Sequence, residues 1–287
     1  MRLPLLVLFG VASVGCSATV ATSPEAADAE AAGPATAVVI VERTSGPGDG
    51  TRAEAVARFV QMRSGSVDEA ALRMVGAAVD FPAIGACAAV GRTRERDRGE
   101  VHARAVKLAD VGAVTLEANG VRTSLVARQL PDVADLVSGV VYTARGESGL
   151  APRVRYALSG AGMADVEAFD VVATAPAEPS DVRVAGQDAK SEVALIPGAA
   201  VDITWEASAS SEDAMYVDIA PRDASSAVVR CSFADNGRAT LPSSVLATVD
   251  EGTMSLHRLH RESFRARGLD GGEIRFDFAR AVAFTRR

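Results

Sequence analysis

Apolar and polar residues alternate along most of the chain beyond residue 36, and a period of two indicates strands that bury one face. The alternation is sharpest where Val201, Ile203 and Trp205 are separated by single polar residues. Turn residues divide such segments about every 8–12 residues, a spacing typical of an Ig-like antiparallel β-sandwich, which we predict for residues 181–287. The later segments with this alternation are 215–219, 229–233, 254–257 and 274–278.

The first half of the chain is also predicted to be rich in strands. Its strongest short-range signal is Asn119-Gly120 between residues 114–118 and 121–126, because Asn-Gly tolerates the positive φ angles of a type I′ hairpin turn. Residues 55–63 alternate as well, although their alanine content leaves a helix as the alternative. The other strands predicted in this half are 36–43, 139–144, 153–159 and 169–174.

One short helix and one linker complete the predicted organisation. Ser66 and Glu69 have the spacing of a capping box, and apolar residues follow them at helical positions. Two prolines in the short run 176–180 indicate a linker. The predicted fold class is therefore mostly β, with two β-rich domains: residues 36–175, which include the helix, and the sandwich of residues 181–287.

The chain begins with the pattern of an exported protein. Residues 1–15 place one positive charge before an apolar run that ends in small residues, which is the order found in secretory signals. The apolar run is shorter than the roughly 20 residues that cross a bilayer. A buried core helix is disfavoured, because residues 16–35 lack large apolar side chains and are typical of a flexible tether.

The end of this signal resembles a lipobox, the site at which bacterial lipoprotein precursors are acylated on cysteine and cleaved. The resemblance lies in Val14-Gly15-Cys16-Ser17, although Ser13 stands where leucine is most common. It implies that Cys16 becomes the acylated N-terminus and holds the protein at the membrane. Ser17, rather than aspartate, implies the outer membrane. A plain signal peptide cut near Ala18, giving a secreted or periplasmic protein, is the alternative.

Composition narrows the class of partner. The formal net charge of −7 and the pI near 5.1 argue against nucleic-acid binding, which requires a basic surface. If Cys16 carries lipid, Cys87 and Cys231 remain, and the oxidising envelope permits a disulfide between them. Two separate buried thiols are the alternative, since cysteine is among the most frequently buried residues.

Several short runs in the last third of the chain resemble the final domain of uncharacterised secreted bacterial proteins, many of which carry lipoboxes. The resemblance implies a β-sandwich and an envelope location, and it implies no activity. The runs that carry it are Asp202-Ile203-Thr204-Trp205, Val229-Arg230-Cys231-Ser232-Phe233, Ala239-Thr240-Leu241-Pro242 and Leu256-His257-Arg258.

Motifs for catalysis, metals and cofactors are missing from the sequence. No Gly-x-Ser-x-Gly, Ser-x-x-Lys or His-Glu-x-x-His motif occurs. His257 and His260 are three apart in a predicted strand and so project to opposite faces, and His102 is distant in sequence, which disfavours a zinc site. We therefore predict no catalytic residues, no metal and no cofactor.

Two clusters of charge are candidates for binding. Residues 91–100 alternate four arginines with acidic residues, and an extended backbone would line the arginines up to hold phosphate or sulfate groups. A self-neutralising charged loop is the other interpretation. Asp202, Glu206 and Asp218 could form a weak calcium site if they share the outer face of one sheet, but a solvated acidic face is the favoured interpretation. The four arginines are Arg92, Arg94, Arg96 and Arg98.

The function predicted from these patterns is that of a non-catalytic binding or scaffold lipoprotein of the cell envelope, with an envelope protein or glycan as partner. The first alternative is a carbohydrate- or lipopolysaccharide-binding module, for which Tyr142, Tyr156 and Tyr216 are the remaining candidate contact aromatics once Trp205 is assigned to the core. The second alternative is a hydrolase whose site assembles from residues far apart in the sequence.

Overall fold

The computed structural model describes residues 33–287, apart from 47–49, 63–65, 91–105, 134–136, 147–149, 164–165, 211 and 224–226. Residues Ala32–Arg287 form one compact unit. The described chain is mostly β, as the alternation predicts, with one α-helix, α1 (Glu69–Met74), and a 3₁₀ helix at Ser243–Leu246. Among the described residues, no helix is long and apolar enough to cross a membrane.

The strands, in chain order, are β1 (Ala35–Gly46), β2 (Gly50–Met62), β3 (Cys87–Ala89), β4 (Val106–Leu108), β5 (Val114–Ala118), β6 (Val121–Val133), β7 (Val137–Arg145), β8 (Arg155–Gly160), β9 (Phe169–Thr174), β10 (Arg183–Val184), β11 (Gln187–Asp188), β12 (Val193–Leu195), β13 (Val201–Thr204), β14 (Ala214–Pro221), β15 (Val229–Ala234), β16 (Arg238–Leu241), β17 (Glu251–Phe264) and β18 (Leu269–Arg286).

These strands form one large sheet and one small sheet. The large sheet has 14 strands in the order β3-β15-β14-β17-β18-β1-β2-β4-β7-β6-β5-β8-β9, and β12 also pairs with β18. The small sheet has the order β11-β10-β13-β16. Three pairs are parallel, namely β1 with β18, β12 with β18, and β4 with β7. The large sheet is therefore mixed.

Two main hydrophobic cores lie along this sheet, and β18 contributes to both. The first core joins buried residues of β1, β2 and β5–β9 with Ile274, Phe276 and Phe278 of β18. The second joins the small sheet with β12, β14, β15, β17 and the end of β18, where Val282 and Phe284 are buried. The linker predicted at residues 176–180 thus divides the cores but not the sheet, because β1 pairs with β18 over most of its length.

The C-terminal region has two sheets that face each other across the second core. Trp205 and Ile203 approach from the side of the small sheet, and Val217 and Leu256 approach from the large sheet. This is the face-to-face packing of a β-sandwich. The region is not antiparallel throughout, since β12 runs parallel to β18. The likeness to immunoglobulin domains stays a prediction.

The structure confirms the predicted hairpin turn but places the helix cap at a different residue. The β5–β6 hairpin is confirmed, and Asn119 and Gly120 have φ angles of 52° and 73°, as a type I′ turn requires. The predicted cap of α1 is wrong in its position. Asp68, rather than Ser66, is the N-cap, because its Oδ1 accepts a hydrogen bond from the Ala71 amide at 2.9 Å.

A buried arginine ties the two regions together. Arg258 on β17 is 1% exposed, and its Nε donates to Asp235 Oδ2 at 2.9 Å. Its Nη1 donates to the carbonyl of Ala177 at 3.2 Å, and its Nη2 donates to the carbonyl of Glu206 at 2.6 Å. Trp205 Nε1 donates to the other oxygen of Asp235 at 2.6 Å. One ion pair therefore fixes the linker, the small sheet and the large sheet at a single point.

Candidate ligand-binding cleft

A cleft of about 770 Å³ opens beside the linker, where structure belonging to the first core meets structure belonging to the second. The end of β1, the chain before β8 and the middle of β18 form one side, and the linker with β10 and β11 forms the other. Charged and polar side chains make up most of its lining. The lining residues are Ser45, Pro152, Arg153, residues 178–183, residues 188–190 and Arg280.

The linker wall of this cleft is held rigidly by hydrogen bonds on both of its sides. On the side facing the protein interior, Arg258 donates to the backbone carbonyls of residues 177 and 178. The amide of Arg153 donates to the carbonyl of Pro176 at 3.0 Å, and the amide of Glu206 donates to the carbonyl of Ser180 at 2.9 Å. A wall fixed in this way presents a preformed surface, which reduces the entropy lost when a ligand binds.

Two of the three acidic residues that line the cleft, Glu178 and Asp188, have partners inside the protein, whereas the third, Asp181, is exposed and has no ion pair within the described part of the chain. The carboxylate of Glu178 forms an ion pair with Arg43, and its second oxygen accepts from Ser45 Oγ at 3.4 Å. Asp188 pairs with Lys190, whose Nζ lies 3.1 Å from Asp188 Oδ2. These carboxylates therefore contribute less negative charge to the cleft than their number suggests.

Two arginines of the cleft form no ion pair, although Arg183 stands opposite Asp188 in the register of β10 and β11 and, after Lys190, its charge helps to lower the pKa of that carboxyl. Arg280 is half-buried, and its Nη1 lies 3.5 Å from Ser45 Oγ. Arg183 is exposed, and its Nη1 lies 3.5 Å from the carbonyl of Gly186. Within the described part of the chain, neither guanidinium has a carboxylate at ion-pair distance. Both retain free donors that match the geometry of a phosphate or carboxylate group.

A separate polar cluster lies on the face of the large sheet opposite the second core. Asp277 accepts from the Tyr216 hydroxyl, and its other oxygen lies 2.9 Å from Nδ1 of His257. The two rings stack with centroids 4.3 Å apart, and the Arg230 guanidinium lies 4.4 Å from the centre of the tyrosine ring. Burial, with the charge of Asp277, raises the pKa of Tyr216, so its hydroxyl keeps the proton that it donates.

The two described histidines lie on opposite faces of β17, as their spacing predicts. His257 binds Asp277, whereas His260 points the other way and its Nδ1 lies 2.7 Å from Asp213 Oδ1. Each is a half-buried partner of one carboxylate, and not a free surface group. Where the structure describes the chain, it contains no group of three metal-binding side chains. His102 lies outside the described residues.

The structure brings together one predicted pair of site residues, and the other predicted site residues lie outside the part of the chain that it describes. Cys87 and Cys231 lie opposite each other on β3 and β15 and form a disulfide. The bond fixes β3 to the edge of the large sheet and links positions 144 residues apart in sequence. Cys16 and the loop with Arg92, Arg94, Arg96 and Arg98 lie outside the described residues.

The aromatic residues considered for carbohydrate contact are all in the interior, so that part of the prediction is wrong. Tyr142, Tyr156 and Tyr216 are each at most 1% exposed, and Trp205 is 6% exposed. Each phenol ring completes a core or a buried polar cluster, since strand alternation turns it inward. The structure therefore offers none of these four rings for stacking against a sugar.

The acidic residues considered for calcium do not converge. Asp202 is on the small sheet and accepts from Thr240 Oγ1 at 2.7 Å. Asp218 is on the large sheet and pairs with Arg230. Glu206 accepts from Ser180 Oγ at 2.5 Å beside the linker. Each carboxylate has its own partner, so the three residues form neither a calcium site nor a single acidic face.

Sequence reasoning missed the cleft. The two arginines of the cleft that form no ion pair, Arg183 and Arg280, are almost a hundred positions apart and stand in ordinary alternating segments. The linker prolines at 176 and 179 were the usable signal, because a boundary between two cores is a common place for a ligand-binding cleft.

The His260–Asp213 pair gives stability a dependence on pH. The hydrogen bond to Asp213 raises the pKa of His260 above its usual 6.5. Burial alone would raise the pKa of Asp213, but the hydrogen bonds from His260 and Ser208 lower it below 3.8. The contribution of His260 is complete below its unfolded pKa and disappears as the pH rises through its raised folded pKa. That of Asp213 disappears only as the pH falls through its lowered folded pKa.

We expect His260→Gln to reduce the free energy of unfolding more at pH 5.5 than at pH 8.5. The difference should be on the order of 1–2 kcal/mol, the usual value of a charge-assisted hydrogen bond. Urea unfolding of both proteins at the two pH values measures it. Asp213→Asn, which removes the partner, should abolish the same pH dependence. An equal loss at both pH values for His260→Gln would show that the pair is not ionised as described.

A scan against models of protein families and a search of curated proteins found no match to this chain.

Proposed function

We propose that this chain is a non-catalytic binding protein of the bacterial cell envelope, and that its cleft binds the anionic groups of an envelope glycan such as lipopolysaccharide. The observation that carries the proposal is the pair of arginines, Arg183 and Arg280, that line a preformed cleft without a carboxylate partner among the described residues. An arginine left unpaired in a concave site is available for a ligand anion, and two of them favour a ligand with more than one charge.

The chemistry of the lining favours a charged glycan over a neutral one. None of the lining residues is aromatic, so the cleft has no ring on which a neutral sugar would stack. Its polar side chains instead supply hydrogen bonds for hydroxyl groups and charge for phosphate or carboxylate groups. The net charge of −7 would oppose a polyanion at long range, so binding depends on the local cation pair.

A hydrolase remains the second candidate function, and the Tyr216–Asp277–His257 cluster is the observation that favours it. A carboxylate that binds Nδ1 of a histidine orients the ring as in many catalytic sites. Two features weigh against it. Tyr216 is 1% exposed, and the cleft beside the linker does not include any of the three residues. The cluster serves better as a buried clamp between β14, β17 and β18.

The proposed location rests on the start of the sequence. A lipid on Cys16 would hold the protein close to the outer membrane, where phosphorylated glycans are concentrated, and the residues between Cys16 and β1 would provide the tether. Effective concentration at the surface would then compensate for a modest affinity of the cleft.

Lipidation is expected at Cys16 alone. Cells grown with a labelled fatty acid should incorporate the label into the wild-type chain and not into Cys16→Ala, and the variant should leave the membrane fraction. Cys87→Ala/Cys231→Ala is the control, since it removes the other cysteines and should keep the label. Equal labelling of wild type and Cys16→Ala would contradict the proposed anchor.

Substitution in the cleft should weaken binding of a phosphorylated glycan. We expect Arg280→Gln and Arg183→Gln each to reduce affinity for the phosphorylated core oligosaccharide of lipopolysaccharide about tenfold, since a charge-assisted hydrogen bond contributes about 1.5–3 kcal/mol and 1.4 kcal/mol is tenfold. Isothermal titration calorimetry on the purified protein measures this affinity. Arg52→Gln, which removes an exposed arginine outside the cleft, is the matched control and should bind as the wild type does.

The ligand can be varied in the same experiment. The dephosphorylated core oligosaccharide should bind the wild type at least tenfold more weakly, and the affinity of the phosphorylated form should fall as salt is raised. Equal affinity for the two oligosaccharides, or equal affinity of the cleft variants and the wild type, would refute anion binding by this cleft.

A further inference from the structure

A buried glutamine on β2 has no hydrogen-bond partner. The face of β2 toward the first core carries Ala55, Ala57 and Phe59, and the next residue on that face is Gln61. Gln61 is 1% exposed, and neither its Nε2 nor its Oε1 has a partner in the described structure. Each unsatisfied polar group in a protein interior costs about 1–3 kcal/mol, so native proteins rarely leave two on one side chain.

This glutamine lines a cavity. The cavity has a volume of about 220 Å³, which is room for on the order of seven water molecules at about 30 Å³ each. Polar side chains, Lys107, Asp110 and Gln129, lie on its wall beside Gln61, and Met163 with Val166 supplies an apolar part. It shares no lining residue with the cleft beside the linker.

A lysine lines the same cavity as Gln61. Lys107 on β4 is directly opposite Gln61 in the antiparallel register of β2 and β4, so both side chains leave the same face of the sheet. Lys107 has no carboxylate at ion-pair distance among the residues that the structure describes. β4 reaches this position because Gly139 on β7 has no side chain, and a Cβ there would collide with the carbonyl of Leu108.

Asp110 also lines the cavity but forms no ion pair with Lys107, and one of its carboxylate oxygens, Oδ1, accepts two hydrogen bonds from other groups. The Tyr142 hydroxyl donates to Asp110 Oδ1 at 2.6 Å, and the amide of Gly112 donates to the same oxygen at 2.9 Å. Burial, together with the hydrogen bond to Asp110, raises the pKa of Tyr142 to about 12, so the hydroxyl remains a donor at neutral pH. The loop at residues 109–112 is thereby fixed as one wall of the cavity.

We propose that this cavity binds the C-terminal residue of a peptide. The carboxamide of Gln61 presents a donor and an acceptor side by side, and a C-terminal residue presents a carboxylate and an N–H group joined through one Cα. The ligand is reached after a rotation of the Gln61 side chain that turns its buried amide into the cavity. Gln61 Nε2 and Lys107 Nζ then donate to the terminal carboxylate, while Gln61 Oε1 accepts from the N–H. The side chain of the bound residue lies against Met163 and Val166. This match satisfies both orphaned atoms and the lone ammonium with one ligand group.

N-acetyl-alanine is the simplest probe, because it carries the carboxylate and the N–H of a C-terminal residue. We expect it to shift the Gln61 side-chain amide resonances in ¹H–¹⁵N NMR spectra of the full folded body, and N-acetyl-alaninamide, which lacks the carboxylate, to bind at least tenfold more weakly. Lys107→Met should reduce the affinity at least tenfold. Lys190→Met is the matched control, since it removes the only other lysine of the chain and should bind normally.

Gln61→Leu separates binding from folding. Because both amide atoms of Gln61 are unpaired without ligand, the leucine variant should be as stable as the wild type or more stable, yet should lose binding at least tenfold. Binding of N-acetyl-alanine by Gln61→Leu at wild-type affinity would overturn the proposal, as would equal binding of the acid and the amide. The proposal would also be overturned if the Gln61 side-chain amide resonances did not respond to N-acetyl-alanine, because the cavity would then hold ordered water and no peptide. Arg280→Gln should leave this binding unchanged, so the outcome is independent of the proposed glycan site.

Discussion

The buried ion pair between Arg258 and Asp235 is the interaction on which the arrangement of the two regions depends. Both side chains are nearly inaccessible, at 2% and 3% exposure, and burying charges of this kind is favourable only when their remaining donors and acceptors are satisfied. The pair meets that condition through backbone carbonyls of residues 177, 178 and 206 and through Trp205. Removing one partner leaves the other as an uncompensated buried charge, which typically costs about 3–5 kcal/mol.

The candidate cleft is a consequence of this constraint. The linker wall of the cleft is the segment whose carbonyls Arg258 binds, so the same donors that stabilise the interior position the ligand surface. β18 adds a second constraint, because its first half completes one core and its end completes the other. Arg280 stands between those two halves and is thereby fixed at the boundary where the cleft opens.

The sequence predicts strands well here, because alternation and turn chemistry are local. The β5–β6 hairpin, β9 and the alternating strands of the C-terminal region follow directly from them. It does not predict the parallel pairing of β1 with β18, which joins ends of the chain more than 200 positions apart and leaves no local signal. It also does not predict β10 and β11, which are two residues each. The candidate sites could not be predicted from the sequence for the same reason. Gln61 and Lys107 are brought together only by the sheet register, and Arg183 and Arg280 only by the packing of the linker.

Amide hydrogen exchange in Arg258→Lys tests the central role of the buried pair most directly. Lysine keeps the charge but lacks the planar fork that reaches Asp235 and the carbonyls together. We expect the amides of Arg153 and Glu206, which donate to the linker carbonyls, to lose at least tenfold protection, while the amides of the β5–β6 hairpin keep theirs. Unchanged protection at Arg153 and Glu206, or an equal loss throughout the chain, would contradict the view that Arg258 fixes the linker and with it the cleft.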